Sequence, residues 1–440
     1  MLQGVKKAVG VLTATAALSG CMSDFSQDLA AGDFVARFKT ATPTAWNTDD
    51  YDAQVNADIA TIQELMTRRS ALPQGSSFET VAASVLAANS RTAEAELRSA
   101  RLRSEAASKN WLPKIGPDVS LTSLGSLVAN LVVDQVLFDN GRLKGEREFA
   151  IADVEVAAVN LALDTNDRVQ TALELYVRAA EAREKVALTD VSLRDMGRFE
   201  YVMSERVQGG VSDQSDLNVL RQKLAEIKAE RAAQTERAST SLAELNAMSI
   251  QPLGDLRGVP ALSISAGAAK PLDVVLAEAE KARDLASAKV ERARQLPGLS
   301  AGGTVGEESN LGLRVRAENL LGLGTGASLK AIEATKETAD RRVSQTTEDT
   351  NRKLRKLESQ IAAKSRQAIE AQALTQRAKA NLDLFQAQYD AGQRQVMDVV
   401  GVYETFSRQQ LSEVSLKFET VQLQVEMARL LGVLADGDEI

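Results

Sequence analysis

From residue 327 to 391 the chain carries neither glycine nor proline, and it consists mostly of Ala, Lys, Glu, Gln, Arg and Leu. Nothing in that window ends a helix, so it predicts one continuous rod, roughly 100 Å long at about 1.5 Å per residue. A second window, from Gly145 to Gly209, is interrupted only by Gly197. Helices in globular domains average about three to four turns, so a pair of rods this long points away from a compact body. Aromatic residues, at 4%, are also too few for the core of a compact chain of this size.

Each rod ends in a glycine turn, at Gly210 and Gly392, followed by a second helical run. Leu217, Leu220, Leu224 and Ile227 keep a three-four apolar spacing after the first turn. Val414, Phe418, Val421, Val425 and Ala428 keep it after the second. This is the spacing of a coiled-coil seam, and the polar opposite faces predict helices that need partners on one side and water on the other. Shifting the chain by 182 residues lays Gly210 on Gly392, Asp216 on Asp398 and Leu217 on Val399, while Leu112-Pro113 corresponds to Leu296-Pro297. The chain therefore reads as a duplication. A first repeat covers 78–248 and a second 273–436, each in the order helix, two strands, long helix, tip turn, helix. The Pro- and Gly-bearing stretch 249–272 reads as the linker between them.

The strand-like sequence lies between each Leu-Pro and the rod that follows. In the first half it comprises Val119 to Leu121 and Leu131 to Phe138. In the second half Leu311 to Ala317 alternates apolar and polar residues after a turn at Glu307 to Asn310. Strands of about ten residues are what a tilted barrel strand needs to cross a bilayer. An open sheet edge in lipid is forbidden, and four strands do not close a barrel. Three protomers with four strands each give 12, within the range of such barrels. Arg314 and Arg316 fall on the polar side of their strand and are expected to line the lumen.

The N-terminus reads as a signal peptide over 1–20: Lys6 and Lys7, an apolar stretch from Ala8 to Leu18, then small residues. It ends in Leu18-Ser19-Gly20-Cys21, which resembles the lipobox of bacterial lipoproteins. That resemblance implies a mature chain starting at Cys21, the single cysteine, with lipid on its sulfur and amino group. Met22 and Ser23 follow without the aspartate that marks inner-membrane retention, which by the same resemblance favours the outer membrane. Residues 21–77 form a lipid-anchored extension. The rest of the chain has no apolar run long enough for a transmembrane helix. Histidine is absent, which removes His-based acid-base catalysis, the common nucleophile triads and His-containing zinc sites. No enzyme, metal or cofactor is expected. A net charge of -8 with no basic block excludes a nucleic-acid partner. Gly322-Leu323-Gly324-Thr325-Gly326 lacks the lysine-serine pair of a phosphate cradle and reads as a strand-to-helix transition.

These residues resemble a family. Val133-Asp134-Gln135-Val136-Leu137-Phe138-Asp139-Asn140-Gly141-Arg142 is similar to the strand-to-helix signature of the TolC-like outer-membrane factors. Ala172 to Leu188 resembles their first long helix, Arg206 to Leu217 and Tyr389 to Val399 their two tip motifs, and Leu430-Leu431-Gly432 their repeat end. The resemblance covers roughly residues 78 to 436. It implies a mainly α fold with a small β part: very long antiparallel helical hairpins in two tandem repeats plus four short strands. Three chains would form a 12-stranded outer-membrane β-barrel continued by a periplasmic α-helical barrel.

It further implies a homotrimeric, passive exit duct for a tripartite efflux pump or a type I secretion system, working with a periplasmic adaptor and an inner-membrane transporter. In the family the helix tips form a periplasmic gate. Carried over by position, Ser215, Asp216, Tyr389, Arg394 and Asp398 are the gate candidates. Where the family often has a further acidic residue one turn beyond Asp398, this chain has Gly401. The same residues also admit a plainer reading, with Asp216 and Asp398 as N-caps and Gly210 and Gly392 as C-caps. Another class of function, a lipid-anchored coiled-coil adaptor or structural rod, is distinguished by having no barrel.

Overall fold

The computed structural model describes residues 60–88, 92–123, 126–265, 267, 269–305, 309–316, 322 and 324–437, all within the unit Asn56–Ile440. The expected signal peptide, Cys21 and the extension up to residue 59 lie outside the described residues, as do residues 307 and 308 of the turn and Ala317. In chain order the elements are α1 (Ala60–Met66), α2 (Ser77–Ala87), α3 (Thr92–Ser108), β1 (Lys114–Ser123), β2 (Ser126–Phe138), α4 (Arg142–Gln208) and α5 (Gln214–Ala247). There follow α6 (Leu272–Arg294), β3 (Gly298–Val305), β4 (Asn310–Arg316), α7 (Thr325–Asp390) and α8 (Val396–Leu431). The two rods are single helices of 67 and 66 residues, and α4 runs through Gly197 without a break. Among the described residues no helix is long and apolar enough to cross a membrane.

α4 is the central rod. It packs against α5, α6, α8 and α3, whereas α7 lies against α8 and α6. Side by side below α6, the four tip-bearing helices therefore run in the order α5, α4, α8, α7. Their burial follows that order: α4 has buried residues along its whole length, while α7 buries only Ala339, Thr350, Leu354, Leu357, Ala371 and Leu382. Among the described residues one face of α7 thus has no partner, and Ile369, Leu374 and Leu384 are exposed on it.

Both tip turns close by the same device. At the first, Val211 N donates to Arg206 O at 2.8 Å and Gly210 N to Val207 O at 3.0 Å. At the second, Gln393 N donates to Gln388 O and Gly392 N to Tyr389 O, both at 2.8 Å. These paired bonds are Schellman motifs, which need a left-handed residue just past the helix. Gly210 and Gly392 supply it, with φ of +72° and +73°. The caps of the following helices differ from the sequence reading. Asp213, not Asp216, is the N-cap of α5, and Gln395, not Asp398, is that of α8. Asp398 stands at the third helical position, where its carboxylate accepts from Gln395 N at 3.2 Å in a capping box. Each turn is shorter than the sequence reading had it, so the helix begins three residues earlier, and the acid at its third position still favours the helix N-terminus.

Among its described residues the stretch 249–271 has no helix or strand, and, with Met248 before it, it is tied down on α4. Arg168 Nη2 donates to Met248 O at 3.1 Å, Arg183 Nη2 to Gly254 O at 2.7 Å and Tyr176 OH to Gly258 O at 2.7 Å. Its own Leu253 and Leu262 are buried. A loop over a core has to find partners for its carbonyls, and here α4 provides them. The core at this level joins α2, α4, α5 and α8 to residues 431–435, with Phe78 and Tyr176 edge to face at 6.1 Å. Buried Arg68 closes the end of α8, donating to Leu431 O at 2.8 Å, to Lys270 O at 2.9 Å and to Glu64 at 3.0 Å.

Candidate functional site

The four strands form one antiparallel sheet in the order β1-β2-β3-β4. β2 pairs with β3 across the duplication, Asp134 opposite Gly302 and Leu131 opposite Val305. β1 and β4 are left as open edges. Strand side chains alternate between faces, and the register sorts most of them by chemistry, with Gln135 on the apolar face and Val132 and Val136 on the polar one as exceptions. One face carries Ile115, Leu131, Val305, Leu311, Leu313 and Val315, all exposed, with Leu313 at 71%. The other carries Asp134, Ser300, Thr304, Asn310 and Arg314. On this polar face the absent side chain of Gly302 makes room: a Cβ there would stand 3.3 Å from both Arg314 Nη1 and Asp134 Oδ2. Arg314 is therefore on the polar face beside an acid. Arg316 ends β4, its backbone opposite Gly298. Trp111 is exposed just before β1.

At the other end of the rods the tips of all four helices share an apolar cluster that includes Met203, Leu217, Leu220, Val396, Val399 and Tyr403. Arg394 lies over the Phe385 ring at 4.3 Å from its centroid, and its Nε donates to Gln388 at 3.0 Å. It is thus held by its own hairpin through a cation-π contact, worth about 0.5–1 kcal/mol at an exposed site. Tyr389 packs on the apolar cluster, Ser215 is exposed, and Asp216 lies in the first turn of α5. Among the described residues no hydrogen bond or ion pair of one chain joins Arg394 to Asp216, Asp398 or Tyr389.

The α4–α8 contact above the tips has a polar seam that sequence reasoning did not identify. Tyr403 OH donates to Asp195 at 3.0 Å, and Ser192 and Ser407 share a hydrogen bond at 3.2 Å. Tyr403 also stands edge to face with Phe199 and Phe406, each at 6.3 Å. Tyr403 continues the Val396, Val399, Val400 spacing and so was legible as a buried position. Its partner, 208 residues away, was not.

Burial pushes the Tyr403 phenol up to about 12 from 10.0, and the neighbouring Asp195 carboxylate adds to the rise. A folded-state pKa above the unfolded one means that the retained proton contributes stability, fully present below about pH 10 and lost as pH rises through about 12. Thermal melts of the detergent-solubilised protein should fall more steeply over that alkaline range for wild type than for Tyr403→Phe. Identical slopes would show that the phenol is hydrated.

Among the described residues no group of three or more His, Cys, Asp or Glu is placed to hold a metal ion. No protein-family model matches the chain, nor does any curated protein. Solved structures do match. The outer membrane protein VceC of Vibrio cholerae superposes with a TM-score of 0.70 at 15% identity, over 87% of this chain and 97% of that one. The open state of the MtrE outer membrane channel of Neisseria gonorrhoeae gives 0.68 at 14% identity, over 84% and 95%. The CmeC outer membrane channel of Campylobacter jejuni gives 0.67 at 13%, over 81% and 86%. The chain has the fold of the TolC-like outer-membrane channels. Its long hairpins, four-stranded sheet and doubled element order are those of one subunit of that fold, matched over nearly the full length of each relative.

Proposed function

We propose that three copies of this chain close into a 12-stranded barrel in the outer membrane of a Gram-negative bacterium, continued by a periplasmic helical tunnel and anchored by lipid on Cys21. The observation that supports this most directly is the two-faced sheet with open edges. An exposed row of apolar side chains suits lipid, a face with Arg314 and Asp134 suits a wet lumen, and unpaired edges at β1 and β4 require neighbours. The unpartnered face of α7 fits the same closure, since in a ring it meets the next subunit's α5. A lipid-anchored rod would have no use for the exposed apolar strands.

On this reading the protein is the passive exit duct of a tripartite efflux pump or a type I secretion system. A periplasmic adaptor engages the helix tips, and an inner-membrane transporter supplies substrate and energy. The gate is at the tips, where Ser215, Asp216, Tyr389, Arg394 and Asp398 of three chains converge. One exposed polar contact is worth about 0 to 1 kcal/mol, so closure rests on threefold repetition. Planar-bilayer recording of the detergent-purified trimer tests both parts. The wild type should show a small unitary conductance that rises severalfold in Arg394→Ser. Failure of the trimer to conduct would overturn the duct, and unchanged conductance in Arg394→Ser would leave Arg394 as a tip-stacking residue only.

A further inference from the structure

Two residues on from Asp195, α4 reaches Gly197; two residues back from its partner Tyr403, α8 reaches Gly401. The helices are antiparallel and adjacent, so the two glycines stand at one level. Glycine in a helix interior destabilises it relative to alanine, and such a residue normally has a packing reason. Among the described residues of one chain neither has one: a Cβ at Gly197 or at Gly401 would meet nothing within 4 Å, and neither has a positive φ. Two uncompensated weak points therefore coincide in the two central helices of the four.

A second observation falls at the same level. Above the glycines α4 and α8 are bonded together by Asp195–Tyr403, Ser192–Ser407 and Glu184–Lys417. Below them, among the described residues, no hydrogen bond or ion pair joins α4 to α8, and only the apolar cluster of Met203, Val396, Val399 and Val400 holds them. Directional bonds fix a shaft, whereas non-directional apolar contacts let surfaces slide. A cleft of about 630 Å3 at this level is lined by α4, α7 and α8, among them Asp195, Phe199 and Tyr403, and leaves open volume beside both helices.

We infer that Gly197 and Gly401 form a hinge through which the last turns of α4 and the first turns of α8 swing relative to a rigid shaft. The inference deepens the gated-duct reading and supplies its moving part: the gate opens by bending at this level, with the Schellman turns and the apolar cluster carried along intact. Helix kinks arise at glycine, and hinge positions lie away from the contacts they release.

Amide hydrogen exchange on the full chain in detergent, compared with Gly197→Ala/Gly401→Ala, tests the hinge without reference to conduction. In wild type the amides around both glycines should exchange faster than those one turn above. The double variant, which has room for both methyl groups, should slow them by about fivefold at each position, the alanine-to-glycine helix preference expressed as an equilibrium factor, with a raised Tm. Equal exchange along α4 and α8, or no slowing in the double variant, would overturn the hinge. In bilayers the double variant should switch between conductance levels less often than wild type. Unaltered switching would also overturn the hinge as the moving part of the gate, whereas a wild type that never conducts would overturn the duct reading and leave exchange to decide the hinge.

Discussion

Leu313→Arg is expected to abolish assembly in the outer membrane, while Arg314→Ser, at the next residue, leaves assembly intact. Leu313 is in the middle of β4 on the apolar face, between exposed Leu311 and Val315 and opposite Ala301. An arginine on the lipid face of a barrel strand costs about 2–4 kcal/mol near the bilayer midplane. In the proposed ring of three the loss is about 6–12 kcal/mol, which is as large as the stability of a typical folded protein. Arg314 is on the polar face beside Asp134 and Gly302, where, in the proposed barrel, its loss alters lumen charge and not the lipid contact. The measurement is the amount of heat-modifiable trimer in carbonate-washed outer membranes. Normal trimer from Leu313→Arg would mean that this face never meets lipid.

Gly432→Val should destabilise the subunit by roughly 3 kcal/mol or more, from left-handed strain and overpacking together. Gly432 follows α8 with φ +65°, and a Cβ would come within 2.5 Å of Leu272 Cγ and 2.9 Å of Arg68 Nη1. The clash falls on the guanidinium that caps α8 and binds Lys270 O, so the substitution loosens three segments at once. Gly210→Ala provides the contrast: its φ is similar, +72°, but a Cβ would meet nothing within 4 Å, leaving only the left-handed penalty of about 1 kcal/mol. Denaturant unfolding in detergent should order them wild type, Gly210→Ala, Gly432→Val. Equal midpoints for the two variants would show that the junction around Arg68 relaxes freely.

The two ends of the protein differ in how readable they were. At the tips, glycine spacing located both turns and both second helices, because a break between long helices is a local property of the backbone. The caps were misplaced by three residues, since Asp213 and Gln395 are no more cap-like in isolation than Asp216 and Asp398. The gate candidates were placed on the tips by position, yet within one chain Arg394 turns to Phe385 and Gln388. Side-chain partners depend on what the folded neighbours present. β3, with the sequence Gly298 to Val305, carries little strand signal of its own, as three of its eight residues are glycine. It is a strand because β2 and β4 flank it.

Periodicity and the absence of helix breakers, read along the chain alone, determined two long hairpins in tandem, strands before each rod, and amphipathic helices short of partners. These are consequences of local conformational energy and of the repeat length of each element, and both are carried by consecutive residues. Contacts between residues far apart in the chain were decided only in the tertiary structure: the β2–β3 pairing, the strapping of 249–271 onto Arg168, Arg183 and Tyr176, the Arg68 junction, and the meeting of Asp195 with Tyr403 and of Gly197 with Gly401. Their energies come from burial and hydrogen bonding between surfaces brought together by the hairpins, and those surfaces do not exist until the rods have docked.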